Sequence, residues 1–80
     1  MTETNKLLDL AQTEAITELT NVIDNEDVGP NTKSYALEWR DQITRGDKLT
    51  ADRYFVAAIL RDHDFDIADV VAYIVLRDLL

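Results

Sequence analysis

The last fourteen residues, Ile67 to Leu80 (I-A-D-V-V-A-Y-I-V-L-R-D-L-L), constrain the fold more than any other stretch, because eleven of them are apolar. A chain of 80 residues is near the lower size limit for a domain held by a single hydrophobic core. Most of this segment therefore has to be buried. Its β-branched residues suit a strand, but no second strand-like run offers a pairing partner. The residues ahead of it read as a helix start: in F-D-I-A-D-V, Asp66 caps, Phe65 and Val70 staple across the cap, and Asp69 complements the positive helix end. The spacing predicts a helix over 67–79. Ile67, Val71 and Ile74 fall on one side of it, and Ala72, Leu76 and Leu79 on another. Such a helix packs centrally and has apolar surface to spare. Val75, Leu76, Leu79 and Leu80 are the expected apolar contact, for a homodimer or another partner.

The single Pro and the two Gly fall where a helical protein places its breaks. A first helix is expected over about 5–23, started by Thr4 or Asn5. At 100° per residue, Leu8, Ala11, Ala15, Ile16, Leu19, Val22 and Ile23 share an arc of about 140°. Leu7 and Leu10 lie outside it, as isolated exposed leucines. Asp24 to Asn31 (D-N-E-D-V-G-P-N) reads as a loop. A second helix is expected over 32–45, buried through Tyr35, Ala36, Trp39 and Ile43. It carries an Asp41–Arg45 pair and is closed by a left-handed Gly46. Thr50, with Leu49 and Tyr54 stapling, starts a third helix over 51–62. Four helices with short connections make an all-α, compact four-helix bundle, with residues 1–80 as a single domain.

Composition narrows function by exclusion. With no Cys, disulfides, thiolate metal sites and thiol nucleophiles are not available. M-T-E-T-N-K lacks the basic-then-apolar pattern of a signal peptide. No uninterrupted apolar run exceeds seven residues, against the roughly 20 of a bilayer span. A cytoplasmic protein with no membrane partner is expected. The formal net charge of −8 disfavours direct nucleic-acid binding, which draws on Lys and Arg, and steers the chain toward basic surfaces. Residues 1–32 hold one Lys against seven acids, and so carry the strongest negative field.

Four candidate sites fail on their residues. The alternating Asp62, Asp64 and Asp66 resemble the first half of an EF-hand loop, but Ile67 and Tyr73 stand where Gly and a bidentate Glu are required. His63, the only histidine, has no base or nucleophile arranged with it. A helix-turn-helix would aim Asp66 and Asp69 at phosphate. Acyl carrier proteins are similar in size, acidity and helix layout, and D-V-V-A-Y-I is similar to that family's last helix. The resemblance implies a modified Ser34, yet N-T-K-S-Y lacks the family's G-x-D-S-L motif.

No catalytic residue, metal ligand or cofactor site is therefore expected. The acids themselves remain. Glu14, Glu18, Asp24, Glu26 and Asp27 are the expected partner-binding set, on a flank that imitates nucleic-acid phosphates and occupies a basic groove of a larger, nucleic-acid-handling protein. In class, this is similar to small acidic inhibitors of phages and mobile elements. The alternative is a structural or assembly subunit that uses the apolar last helix.

Overall fold

The computed structural model describes residues 3–49 and 53–79, with the side chains of 6–49 and 58–79. It is all-helical: α1 spans Glu3–Ile23, α2 Pro30–Thr44, α3 Arg53–Asp62 and α4 Ala68–Leu79, with no strand among the described residues. Helix α1 already includes Thr4 and Asn5 and begins before them, so neither is the cap expected there. The expected cap at Thr50 and the contact assigned to Leu80 lie outside the described residues.

Two boundaries differ from expectation at α2. The helix starts at Pro30 rather than Thr32, with an extended Gly29 as its cap and no side chain bonded there. Proline suits the first helical position because its missing N–H would have no partner inside the helix anyway. The connection from α1 is correspondingly shorter than 24–31, and Val28 within it turns inward and is buried. At its other end α2 stops at Thr44. Gly46 takes a φ of 77°. The Asp47 N–H then reaches the Gln42 carbonyl at 2.9 Å, and the Gly46 N–H reaches that of Ile43 at 2.9 Å. This is a Schellman closure. The α3 terminus repeats it with Asp64 in the left-handed place, φ 60°. Phe65 N–H donates to the Leu60 carbonyl at 3.1 Å and Asp64 N–H to that of Arg61 at 2.9 Å.

Helix α4 starts as the cap predicts. The Asp66 carboxylate accepts the Ala68 N–H at 3.0 Å, and the first helical bond runs from Val71 N–H to the Ile67 carbonyl at 2.9 Å. Phe65 and Val70, the expected staple, both pack into the core.

The core joins Ala11, Ala15, Leu19 and Val22 of α1, Ala36, Trp39 and Ile43 of α2, Leu60 of α3, and Val70 and Tyr73 of α4. Leu8, Ile16, Ile23 and Tyr35 pack against it from partly exposed positions. Helix α1 is the shared wall, since both α2 and α4 pack on it, whereas α3 packs on α2 alone among the described residues.

Polar bonds fix the directions. Gln12 donates to the Ile43 carbonyl at 2.7 Å and Arg40 to the Thr20 hydroxyl at 3.2 Å, so α2 runs antiparallel to α1. Glu18 meets the start of α4. Farther along α4, the Tyr73 hydroxyl donates to the Asp47 carbonyl and Arg77 Nε to that of Gly46, each at 2.8 Å. Both acceptors lie just beyond Ile43, the residue Gln12 contacts. Helix α4 is thus antiparallel to α1 as well. The molecule is elongated, 41 × 21 × 20 Å.

Candidate functional site

These directions sort the polar and apolar surface residues by end. Because α4 begins where α1 finishes, the α3–α4 turn lies at the same pole as the α1–α2 turn. Asp24, Glu26 and Asp27 of one turn and Asp62, Asp64 and Asp66 of the other are all exposed. Among the described residues none of them forms an ion pair, whereas Arg45 pairs with Asp41 and with Asp47. Lys33 in the first turn of α2 and Arg61 in the last turn of α3 are the nearby bases. The pole is held in shape from within, with the Asp27 N–H bonded to Asn25 Oδ1 at 2.8 Å and Asp66 bonded to Ala68.

The expected partner-binding set is only partly reunited here. Asp24, Glu26 and Asp27 share the pole. Glu14 is exposed on α1, ten residues before Asp24, which at the helical rise sets it about 15 Å away. Glu18 differs more. It is partly buried and faces α4, where its carboxyl oxygens accept the Asp69 N–H at 3.3 Å and the Val70 N–H at 3.2 Å. A carboxyl group that closes another helix's open N–H groups is a structural cap across the fold. Burial first, and then a hydrogen bond with the Asp69 side chain, push its pKa up to about 7, against the opposing pull of the two backbone N–H groups.

The residues missed by sequence reasoning are Asp62, Asp64 and Asp66. As a group they drew notice as an incomplete calcium loop, with Asp66 also read as a helix cap and never as part of an acidic surface; among the described residues no group of His, Cys, Asp or Glu is arranged to hold a metal ion. Asp64 and Asp66 have local conformational roles instead, one in the helix closure and one as a cap. The signal that joins them to Asp24–Asp27 is the shortness of the connections, which makes successive helices antiparallel.

The opposite end differs in kind. Counting back from Glu18 beside Asp69 and Val70, Leu7 and Leu10 fall level with the last turn of α4. They are 54% and 59% exposed, and Val75 and Leu79 on α4 are 53% and 74% exposed. The two leucines set aside as isolated thus share an end with two of the expected contact residues. Leu76, also expected there, packs against the core. It sits on the flank of α4 turned toward its neighbours, three residues from fully buried Tyr73.

One open groove of about 380 Å³ lies between α2 and α3, lined by Asn31, Ser34, Tyr35, Glu38 and Ile59. Ser34 stands one turn inside α2 rather than at its first residue. No helix among the described residues is long and apolar enough to cross a membrane. Comparison with protein-family models, with curated proteins and with solved structures returns no match.

Proposed function

We propose that this chain is a small, non-enzymatic interaction protein, its four helices acting as one compact bundle. In this reading it binds, and inhibits or regulates, a larger basic protein that handles nucleic acid. Its carboxylates stand where that partner receives phosphates. The observation that carries the reading is the pole at which two separate turns bring Asp24, Glu26, Asp27, Asp62, Asp64 and Asp66 to one end, with no ion pair to any of them among the described residues. Carboxylates on two helix-anchored turns form a stiffer negative surface than a disordered acidic tail, so less ordering entropy is lost on binding. Steering by such a field is strong at low salt and falls off as the Debye length contracts to about 8 Å at physiological ionic strength.

The test is capture of DNA-binding proteins from a host lysate on the immobilised chain, followed by elution with duplex DNA. Under phosphate mimicry the DNA displaces the captured protein, as does added salt. The Asp24→Lys, Glu26→Lys, Asp27→Lys triple variant, which leaves the Glu18 cap intact, captures nothing while keeping its helical circular dichroism. Equal capture by the variant, or no displacement by DNA, contradicts the reading.

The second reading is an assembly module, favoured by the exposure of Leu7, Leu10, Val75 and Leu79 at one end. It places a homodimer or partner contact far from the acidic pole. Association through that surface persists at high ionic strength, where an electrostatic complex dissolves.

A further inference from the structure

Helix α4 is apolar on the side away from the core. Its fully buried residues, Val70 and Tyr73, fix the inward direction. At 100° per residue, Ala68, Val71, Ala72, Val75 and Leu79 fall in an arc of about 100° centred opposite them. No polar residue of the helix enters that arc. Ala68, Val75 and Leu79 are exposed, and Val71 and Ala72 are half-buried. Among the described residues the one helix packed on α4 is α1, along a different side. A surface helix ordinarily turns polar residues outward, and one that is apolar all round is normally covered.

The stripe continues onto α1 and has acidic edges. Glu18 marks the direction of α4 on the α1 wheel, and Leu7 and Glu14 lie within about 40° of it, away from the core. Leu7 and Leu10, both exposed, thus extend the apolar surface beside the last turn of α4. Exposed Glu14 edges the stripe midway, and exposed Asp78 lies along its other edge. The bases of these two helices are Lys6, beyond Leu10, and Arg77, whose Nε is turned inward to the Gly46 carbonyl at 2.8 Å.

We propose that this surface is the docking site for a basic amphipathic helix of another protein, which lays its apolar stripe along Val71, Val75 and Leu79 and turns its Lys and Arg toward Glu14 and Asp78. The 12 residues of α4 extend about 18 Å, enough for a partner helix anchored at i, i+3 or i+4, and i+7. Charge selects this occupant over a second copy. Two copies stacked along α4 would set acidic edge against acidic edge and join two molecules of net charge −8, which like-charge repulsion opposes. The inference shares with the proposed function only a basic partner, and needs neither nucleic acid nor phosphate mimicry.

The probe is a synthetic helical peptide of about 18 residues with a leucine stripe and lysine flanks, titrated into the native chain and followed by amide NMR. Binding shifts the amides of Val71, Ala72, Val75 and Leu79 more than those of Asp24 and Asp27. Two companion peptides separate the chemistries: one keeps the leucines between glutamate flanks, and the other keeps the lysines with glutamines in place of the leucines. Each binds about tenfold more weakly or worse. Val75→Gln with Leu79→Gln weakens the lysine–leucine peptide by about tenfold and keeps the native thermal midpoint, since both side chains are exposed. The Asp24→Lys, Glu26→Lys, Asp27→Lys variant retains the peptide, so this result and the DNA-displacement result stand or fall separately. Equal binding of the glutamate-flanked peptide, shifts confined to the acidic turns, or no loss in the double variant overturns the proposal. So does sedimentation of the chain alone as a dimer that the double variant dissolves, which gives the stripe to a second copy.

Discussion

Gly46 and Asp64 occupy the same position in two helix closures, each with positive φ and each followed by a residue whose N–H reaches back five positions. Glycine takes that conformation without strain, and aspartate tolerates it better than most residues. Space is not the issue at Gly46, since an added Cβ meets nothing within 4 Å. Gly46→Ala is therefore expected to cost about 1 kcal/mol from backbone conformation alone, read from urea unfolding at constant m-value. A loss near 3 kcal/mol would mean that the loop, with its Tyr73 and Arg77 bonds, had come apart. Asp64→Gly is expected to be close to neutral, because relief of the left-handed conformation is offset by the greater entropy of glycine in the unfolded chain. At this scale the sequence was legible wherever the partner is local. The left-handed Gly46, the Asp66 cap and the Asp41–Arg45 pair all lie within a few residues of what they bond. Glu18 was not legible, because its partners are 51 and 52 positions away.

Among the helices, burial is uneven. Helices α1, α2 and α4 enclose the core, and α4 is tied down at its start by Glu18 and farther along by Tyr73 and Arg77. Burial also raises the pKa of the Tyr73 phenol, which keeps it protonated as the donor to Asp47. Helix α3 packs on α2 alone among the described residues. Its described side chains pass from exposed Ala58 to buried Leu60 within three residues. Local opening is expected to be easiest where few apolar contacts would be broken. Amide exchange in α3 should consequently run at least tenfold faster than in α1 or α4; equal protection in all four helices would show that α3 is held by more than its α2 face. The seven-residue apolar run in α4 illustrates what periodicity reveals. It predicted that more than one side would be apolar. It did not tell that Leu76 would turn into the core while Val75 and Leu79 stayed out, because that depends on how α4 is rotated against α1.

Among the described residues the two ends differ: Asp24, Glu26, Asp27, Asp62, Asp64 and Asp66 gather at the α1–α2 and α3–α4 turns, whereas the other end exposes Leu7, Leu10, Val75 and Leu79 beside Asp9, Asp41, Asp47 and Asp78. Helix α1, 21 residues long, separates the two by about 30 Å. A partner that engages only one end leaves the other free, so acidic binding and apolar assembly are compatible on one chain. The polarity has a thermodynamic consequence. Like charges gathered at one pole of a folded protein with net charge −8 repel more strongly than in the expanded chain, and salt screens that repulsion. Raising NaCl from 10 mM to about 150 mM, where the Debye length falls from about 30 Å to about 8 Å, is expected to raise the thermal midpoint by several degrees. A midpoint that falls with salt would mean that attractive pairs, such as those of Arg45, outweigh the pole.

By itself, the sequence determined the number and type of the helices, the core faces of α1 and α2, the helix ends to within two residues and the sign of the net charge. These properties depend on residues a few positions apart, where periodicity, caps and turn chemistry act. The tertiary structure alone decided which acids stand together, that Glu18 serves α4 rather than solvent, and that Leu7 and Leu10 share an end with Val75 and Leu79. Those outcomes follow from the antiparallel placement of α4 on α1. That placement is set by packing and bonds between residues more than fifty positions apart, which no local pattern encodes.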